Sequence, residues 1–193
     1  MSRHTSLDKW EGYQMGNSGR YRLRSSAIRD ADTVLRDIRQ EDTDEWDASV
    51  EGGVEEHLGY SIMMSDECWT LADYRTDEAH VIFGVKSYAA KGRAYASTWM
   101  LGTNRSAKDA TWLLQAGREF SREFFERWPL TECWSDARNT HHHRWLLWEG
   151  YAPNARSEAH GPLGLPFIHF LKEQQPWTSK NTRDAGGNIS SLG

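Results

Sequence analysis

Apolar residues are sparse over the first twenty positions and then settle into two rhythms. Tyr21–Arg29 (YRLRSSAIR) alternates with the period of two expected of a strand. Asp30 is an N-cap candidate for a short helix that carries Ala31, Val34, Leu35 and Ile38 at helical spacing. Asp42 or Thr43 opens a second helix through Trp46 and Ala48, and Gly52-Gly53 breaks it. Val54–Met64 reads as a further helical segment. Three apolar or alternating runs follow, Glu67–Asp73, Ala79–Tyr88 and Tyr95–Leu101, separated by turn residues like an antiparallel set of strands. Ser106–Trp128 predicts the longest helix: Trp112, Ala116, Phe120, Phe124 and Trp128 recur every four residues, and Pro129 stops it. Leu130–Ser135 is a short strand. Asn139 caps a helix that runs through Glu149 and ends at Gly150. Gly164–Leu171 is the last strand, placed at a sheet edge because of Pro166.

The resulting order, β–α–α–β–β–β–α–β–α–β, predicts a mixed α+β domain with helices interrupting a central sheet. Residues 1–20, rich in Gly, Ser and Tyr, read as an N-terminal arm ordered only by a partner. Residues 21–172 form the domain, and residues 173–193 form a second polar arm.

Composition narrows the function. The 193 residues are 38% hydrophobic and 12% aromatic, which argues against a disordered chain despite a mean hydropathy of −0.78. The ten tryptophans supply core or interface area that a modest aliphatic count lacks. No apolar run approaches a membrane span, and MSRHTSLDKWEGYQ has no apolar region of the kind a secretory signal needs. Net charge is −5, so specific nucleic-acid binding is not expected. The charge is segregated: residues 1–29 carry six Lys/Arg against two acids, whereas residues 30–56 carry eleven acids against Arg36 and Arg39. Cys68 and Cys133, both in apolar strands, read as small buried hydrophobes. His141–His143 are adjacent, and on a helix successive side chains point about 100° apart. They do not converge on one ion, and no metal is expected.

The segment Asn139-Thr-His-His-His-Arg-Trp-Leu-Leu-Trp-Glu-Gly150-Tyr151 resembles the fourth helix of the Gcn5-related N-acetyltransferases (GNAT), where an Asn opens a helix that ends in Gly and an aromatic residue. The order of elements agrees over roughly residues 21–172, which implies a GNAT-like mixed sheet flanked by helices. In active members backbone N–H groups of a Gly-rich turn cradle a pyrophosphate. The corresponding stretch here is Leu101-Gly102-Thr103-Asn104-Arg105-Ser106-Ala107-Lys108, with one glycine. The resemblance makes Leu101, Gly102, Thr103, Arg105, Lys108 and Asn139 the candidate cofactor contacts, for acetyl-CoA or coenzyme A if the chain is an enzyme. Glu132 and Asp136 are then the candidate proton acceptors. The proton-donor tyrosine frequent in the family is replaced by Leu146, which has no proton to donate.

A second resemblance starts from Arg39, Asp42, Glu45 and Ala48, an R-x-x-D-x-x-E-x-x-A run. With Trp69 and Asn139-Thr140-x-His142-x-Arg144-x-Leu146-x-x-x-Gly150, it is similar to the small internal virion protein family of T7-like podoviruses. That resemblance implies a non-catalytic virion-associated or assembly protein on a degenerate acetyltransferase scaffold. It implies that no cofactor is bound, that the partners are portal, core or tail proteins in a multi-copy assembly, and that the protein resides in the virion, and in the host cytoplasm during assembly. Trp10 and Trp177, isolated in the arms, are the candidate partner anchors. The alternative is an acetyl-CoA-dependent N-acetyltransferase acting on a small amine or a host protein.

Overall fold

The computed structural model describes residues 11–15, 20–90, 93–108 and 127–173. Among them, eight strands form one sheet: β1 (Gln14–Met15), β2 (Tyr21–Ser25), β3 (Glu67–Asp73), β4 (Ala79–Ala90), β5 (Arg93–Gly102), β6 (Leu130–Asp136), β7 (Ala152–His160) and β8 (Leu165–Glu173). The spatial order is β1-β2-β3-β4-β5-β6-β8-β7. Three helices, α1 (Arg29–Leu35), α2 (Gln40–Ser49) and α3 (Gly53–Met64), lie between β2 and β3 in the chain. Helix α4 (Asn104–Lys108) follows β5, and α5 (Thr140–Trp148) follows β6.

Every neighbouring pair is antiparallel except β5–β6. A parallel pair needs a crossover connection. The helix expected over Ser106–Trp128 falls there, and residues 109–126 of it lie outside the described residues; Asn104–Lys108 is helical.

The sheet carries a core on each face. One holds Val34, Val54, Leu58, Ile62, Ile82 and Leu101, where α1 and α3 pack on β4 and β5. The other holds Tyr21, Trp69, Val85, Cys133, Leu146 and Tyr151, among others. Strand alternation explains the division: in β3, Trp69 and Leu71 serve the second core while Cys68 packs on the first. The start of α1 is pinned by charge. Asp30, 2% exposed, accepts both terminal nitrogens of Arg24 at 2.7 and 2.8 Å and the Ala27 N–H at 2.9 Å. The helix begins at Arg29 with Ile28 in the cap position, so Asp30 holds the entering turn from inside the helix, not from its cap.

Most of the expected elements are present, with β3 at the bounds read from its pattern. Asn139 caps α5 by accepting the His142 N–H, and Gly150 follows its end with φ +90°, a conformation that favours glycine. The C-terminal end differs. Strand β7 was not expected, because its burial is nearly uniform and exposed and gives no alternation. It occupies the sheet edge, so the strand holding Pro166 is interior, between β6 and β7. Pro166 fits there because the β7–β8 register shifts between Ser157 and His160, where Pro166 has no Cα partner. Its carbonyl accepts the Ala137 N–H. Within the expected arm, Gln14 and Met15 pair with β2, and Gly12 N–H donates to the Leu23 carbonyl.

The tryptophans divide. Trp69 and Trp128 are buried, and Trp46, Trp99 and Trp145 are half-buried against the two cores. Trp134 and Trp148 are exposed, and Trp10, Trp112 and Trp177 lie outside the described residues. Cys133 is buried and burial pushes its thiol up; the Cys68 thiol is pushed up to about 11, also by burial. Neither is a thiolate near neutral pH. No helix among the described residues is long and apolar enough to cross a membrane.

Candidate functional site where two strands part

The β5–β6 ladder is short. Ala96 pairs with Thr131 and Ser97 with Glu132, and the pairing ends there. Both strands continue, to Gly102 and Asp136, so they part over their last residues. Alternate residues of an antiparallel strand turn their N–H and C=O to opposite sides. Gly102 turns both away from β4, its N–H to Asp42 and its carbonyl to the Arg39 N–H. Met100, two residues earlier, therefore faces the gap, and no residue of β6 pairs with it.

One turn of α2 joins the two strand ends. At the β5 end, Asp42 Oδ2 accepts the Gly102 N–H at 2.8 Å, and the Arg39 guanidinium grips the same carboxylate at 2.7 to 3.0 Å. Burial nevertheless pushes the Asp42 carboxyl above its ordinary value. At the β6 end, Glu45 Oε2 accepts from Ser135 Oγ at 2.9 Å, Asn139 Nδ2 at 3.0 Å and the Asp136 N–H at 3.2 Å. Ser135 gives its single proton to Glu45. His142 Nδ1, 3.1 Å from the same Ser135 oxygen and 3.4 Å from Glu45 Oε1, is then the donor to both. Burial alone would raise the Glu45 carboxyl, but the bonds from His142, Ser135 and Asn139 outweigh it and hold it below the usual range. The run Arg39-x-x-Asp42-x-x-Glu45-x-x-Ala48 thus faces inward: Asp42, Glu45 and Ala48 are buried at helical spacing.

The backbone N–H groups of the turn after β5 are engaged from Gly102 to Ser106. Five consecutive N–H groups are taken: Gly102 by Asp42, Thr103 by the His80 carbonyl, Asn104 by the Asp37 carbonyl, Arg105 by Asp37 Oδ2 and Ser106 by Thr103 Oγ1. Leu101 is wholly buried in the core and Thr103 is 2% exposed. A Cβ on Gly102 would stand 2.9 Å from Ser106 Oγ, so the close turn excludes larger residues. The Arg105 side chain reaches Glu78 at 3.3 Å on the surface. Lys108 closes α4, and its side chain lies outside the described residues.

The two candidate proton acceptors differ. Asp136, 2% exposed, gives both oxygens to Arg138, which holds its carboxyl below the usual range against the opposing effect of burial. Glu132 stands at the last paired position of the ladder. Asn154 Nδ2 donates to His169 Nδ1 at 3.2 Å, so His169 Nε2 carries the proton and donates to Glu132 Oε2 at 3.0 Å. Trp134 stacks on His169 and on His160, with ring centres 4.6 and 5.1 Å apart. Leu146 is in the core. The residue sequence reasoning passed over is Tyr151: its hydroxyl lies 3.1 Å from Thr98 Oγ1, one position past the ladder's end. Its place after Gly150 was the available signal. Of the adjacent histidines, His142 turns to Ser135 while His143 reaches the Asp136 carbonyl. Among the described residues no group of three or more His, Cys, Asp or Glu is placed to hold a metal ion.

This architecture is the GNAT acetyltransferase fold, and solved structures share it over most of the chain. Ribosomal-protein-S5-alanine acetyltransferase from Vibrio fischeri matches with a TM-score of 0.60 and 10% identity over 82% of this chain and 96% of that one. An aminoglycoside N(6')acetyltransferase from Legionella pneumophila matches at 0.59 and 12% identity, covering 79% and 91% of the two chains. A GNAT-family acetyltransferase from Bacillus anthracis matches at 0.56 and 10% identity, covering 80% and 95%. No protein-family model and no curated protein matches the chain.

These neighbours correct the expectation of a non-catalytic virion-associated assembly protein; they favour the acetyltransferase alternative. The physical reason lies in the motif that carried the expectation. Asp42 and Glu45 are internal fasteners of the strand ends, not a surface offered to a partner. Trp10 and Trp177 lie outside the described residues.

Coenzyme A, the acyl carrier that this fold implies, needs an edge for its amide arm and donors for its diphosphate. The open backbone edge at Met100 suits an amide chain. The turn does not suit a diphosphate as it stands, because its N–H groups already have acceptors and two of those acceptors are carboxylates.

Proposed function

We propose that the chain is an N-acyltransferase that moves an acetyl group to an amine. The observation that supports this most is the parting of β5 and β6 after Ser97 and Glu132, which leaves an unpaired parallel edge inside an acetyltransferase fold. Glu132, at the mouth of the gap, takes the proton of the acceptor amine, with His169 Nε2–H orienting its carboxylate. Asp136 is left out of that role because Arg138 holds both its oxygens. Tyr151, whose hydroxyl lies 3.1 Å from Thr98 Oγ1, is the candidate proton donor in place of Leu146.

The neighbours named for ribosomal proteins and an aminoglycoside define the first acceptors to try: peptides with N-terminal Ala or Ser, and an aminoglycoside. The purified chain is incubated with acetyl-CoA and each amine, and free thiol is followed with a chromogenic disulfide. Thiol release that depends on the amine and falls about a hundredfold or more in Glu132→Gln is expected, the usual scale for loss of a general base. Release no faster than the uncatalysed rate with every amine would overturn the proposal.

A further inference from the structure

Strand alternation puts Glu132 and Trp134 of β6 on one side of the sheet. Trp134 belongs to neither core and is 37% exposed, yet its ring is fixed by its neighbours. It stacks on His169 and on His160, and His160 packs on the wholly buried Phe167 with ring centres 4.5 Å apart. A chain of ring contacts thus runs from the imidazole that meets Glu132 down to the core, and stacking of this kind sets the plane of each ring.

Strand β7 supplies a second, independent observation. Its register against β8 shifts between Pro153 and Ala155: Pro153 pairs with Phe170 and Ala155 with His169, so Asn154 is an extra residue without a Cα partner. A bulge re-aims a side chain, and bulges recur beside functional sites for that reason. Asn154 Nδ2 reaches His169 Nδ1 at 3.2 Å. An ionised carboxylate only accepts, so the 3.0 Å contact to Glu132 Oε2 puts the imidazole proton on Nε2, and the Asn154 amide takes the lone pair of Nδ1. The result at Glu132 is asymmetric. Oε2 is anchored, whereas Oε1 has no hydrogen-bond partner among the described residues. At Asp136, in contrast, Arg138 takes both oxygens.

We propose that Asn154 and Trp134 are positioning residues that clamp His169: Asn154 fixes its tautomer and Trp134 its plane, so that His169 anchors Glu132 Oε2 and leaves Oε1 to take the proton of the acceptor amine. The role of Glu132 as that proton acceptor rests on the acyltransferase reading.

The tautomer is read without substrate, from nitrogen-15 histidine spectra of the full chain at neutral pH, with His169→Gln assigning the His169 signals. The expected result is one Nε2–H form in wild type and a doubly protonated ring in Asn154→Asp, whose new carboxylate accepts from Nδ1. In the amine-dependent thiol assay, kcat is expected to fall about tenfold or more in Asn154→Asp and His169→Ala with KM for acetyl-CoA unchanged, as for a misplaced reacting group. Trp134→Leu is expected to fall less. His169→Gln, whose amide still donates toward Glu132, is expected to keep more of the rate than His169→Ala. A thermal melt of each variant checks folding, and Asn154 is an exposed position. A wild-type ring with its proton on Nδ1, or with both nitrogens protonated, overturns the clamp whatever the activity. The expected tautomer with wild-type rates in Asn154→Asp and Trp134→Leu overturns the positioning role and leaves the acyltransferase reading standing. The expected tautomer with no thiol release by wild type on any amine supports the clamp and counts against that reading.

Discussion

The two ends of the β5–β6 opening are fastened by carboxylates one helical turn apart, yet the fastenings obey different physics. At the β5 end Asp42 is balanced by one full charge, the Arg39 guanidinium, which is itself part-exposed. At the β6 end Glu45 is held by His142 and by Ser135, Asn139 and the Asp136 N–H. Burial raises both carboxyls, and only at Glu45 do the partners overcome it. At Glu45 the hydrogen bonds and charge of His142, with Ser135 and Asn139, outweigh burial, whereas at Asp42 the Arg39 fork and the Gly102 N–H do not.

Removing Glu45 has the largest expected effect. Glu45→Ala leaves the Ser135 hydroxyl, the Asn139 amide and the Asp136 N–H buried without their acceptor. Each such donor costs about 1–3 kcal/mol, so a loss of about 3–5 kcal/mol is expected in urea unfolding. Arg39→Ala strands the buried Asp42, but water reaches the Arg39 side, and a smaller loss of about 1–3 kcal/mol is expected. A larger loss for Arg39→Ala than for Glu45→Ala would break the comparison.

The way α2 is set against the C-terminal strands can be measured with two glycines. Gly161 and Gly164 have nearly the same backbone, φ +60° and +59°. A Cβ on Gly161 would stand 2.0 Å from the Ala48 carbonyl oxygen, at the end of α2, whereas one on Gly164 would meet nothing within 4 Å. The shared left-handed strain cancels between Gly161→Ala and Gly164→Ala. The excess loss in Gly161→Ala, expected at about 1–2 kcal/mol by thermal unfolding, reports the packing of the β7–β8 turn on α2. Equal losses would mean that the turn moves freely off the helix.

Local chemistry was legible in the sequence; distant pairing was not. The spacing of Arg39, Asp42 and Glu45 stands out in the chain, but their partners do not. Gly102 is 60 residues from Asp42, while Ser135 and Asn139 are 90 and 94 residues from Glu45. An inward-facing carboxylate and a solvated one have the same spacing, so the run alone does not say which way it faces. The α5 boundaries were visible because Asn139 and Gly150 act within one turn of themselves. Strand β7 was hidden because both its faces are largely exposed, so no periodicity marks it. The open edge at Met100 is a property of backbone direction, and no side-chain pattern encodes it.

The smallest expected effect is also the sharpest test of the comparison, because the two carboxylates predict opposite slopes. Glu45 titrates below its ordinary value of about 4.3, so it contributes stability that is present above that pH and lost as pH falls through its folded value. Asp42 titrates above its ordinary value of about 3.9, so its contribution is present below that pH and lost as pH rises through its folded value. The stability deficit of Glu45→Gln relative to wild type should therefore shrink as pH is lowered from 7 toward 3, whereas that of Asp42→Asn should grow. Urea unfolding of the three proteins across that range reads both slopes. Slopes of the same sign would mean that the two ends are one charge network, and that the Arg39 fork balances Asp42 as completely as the donors around Glu45 balance theirs.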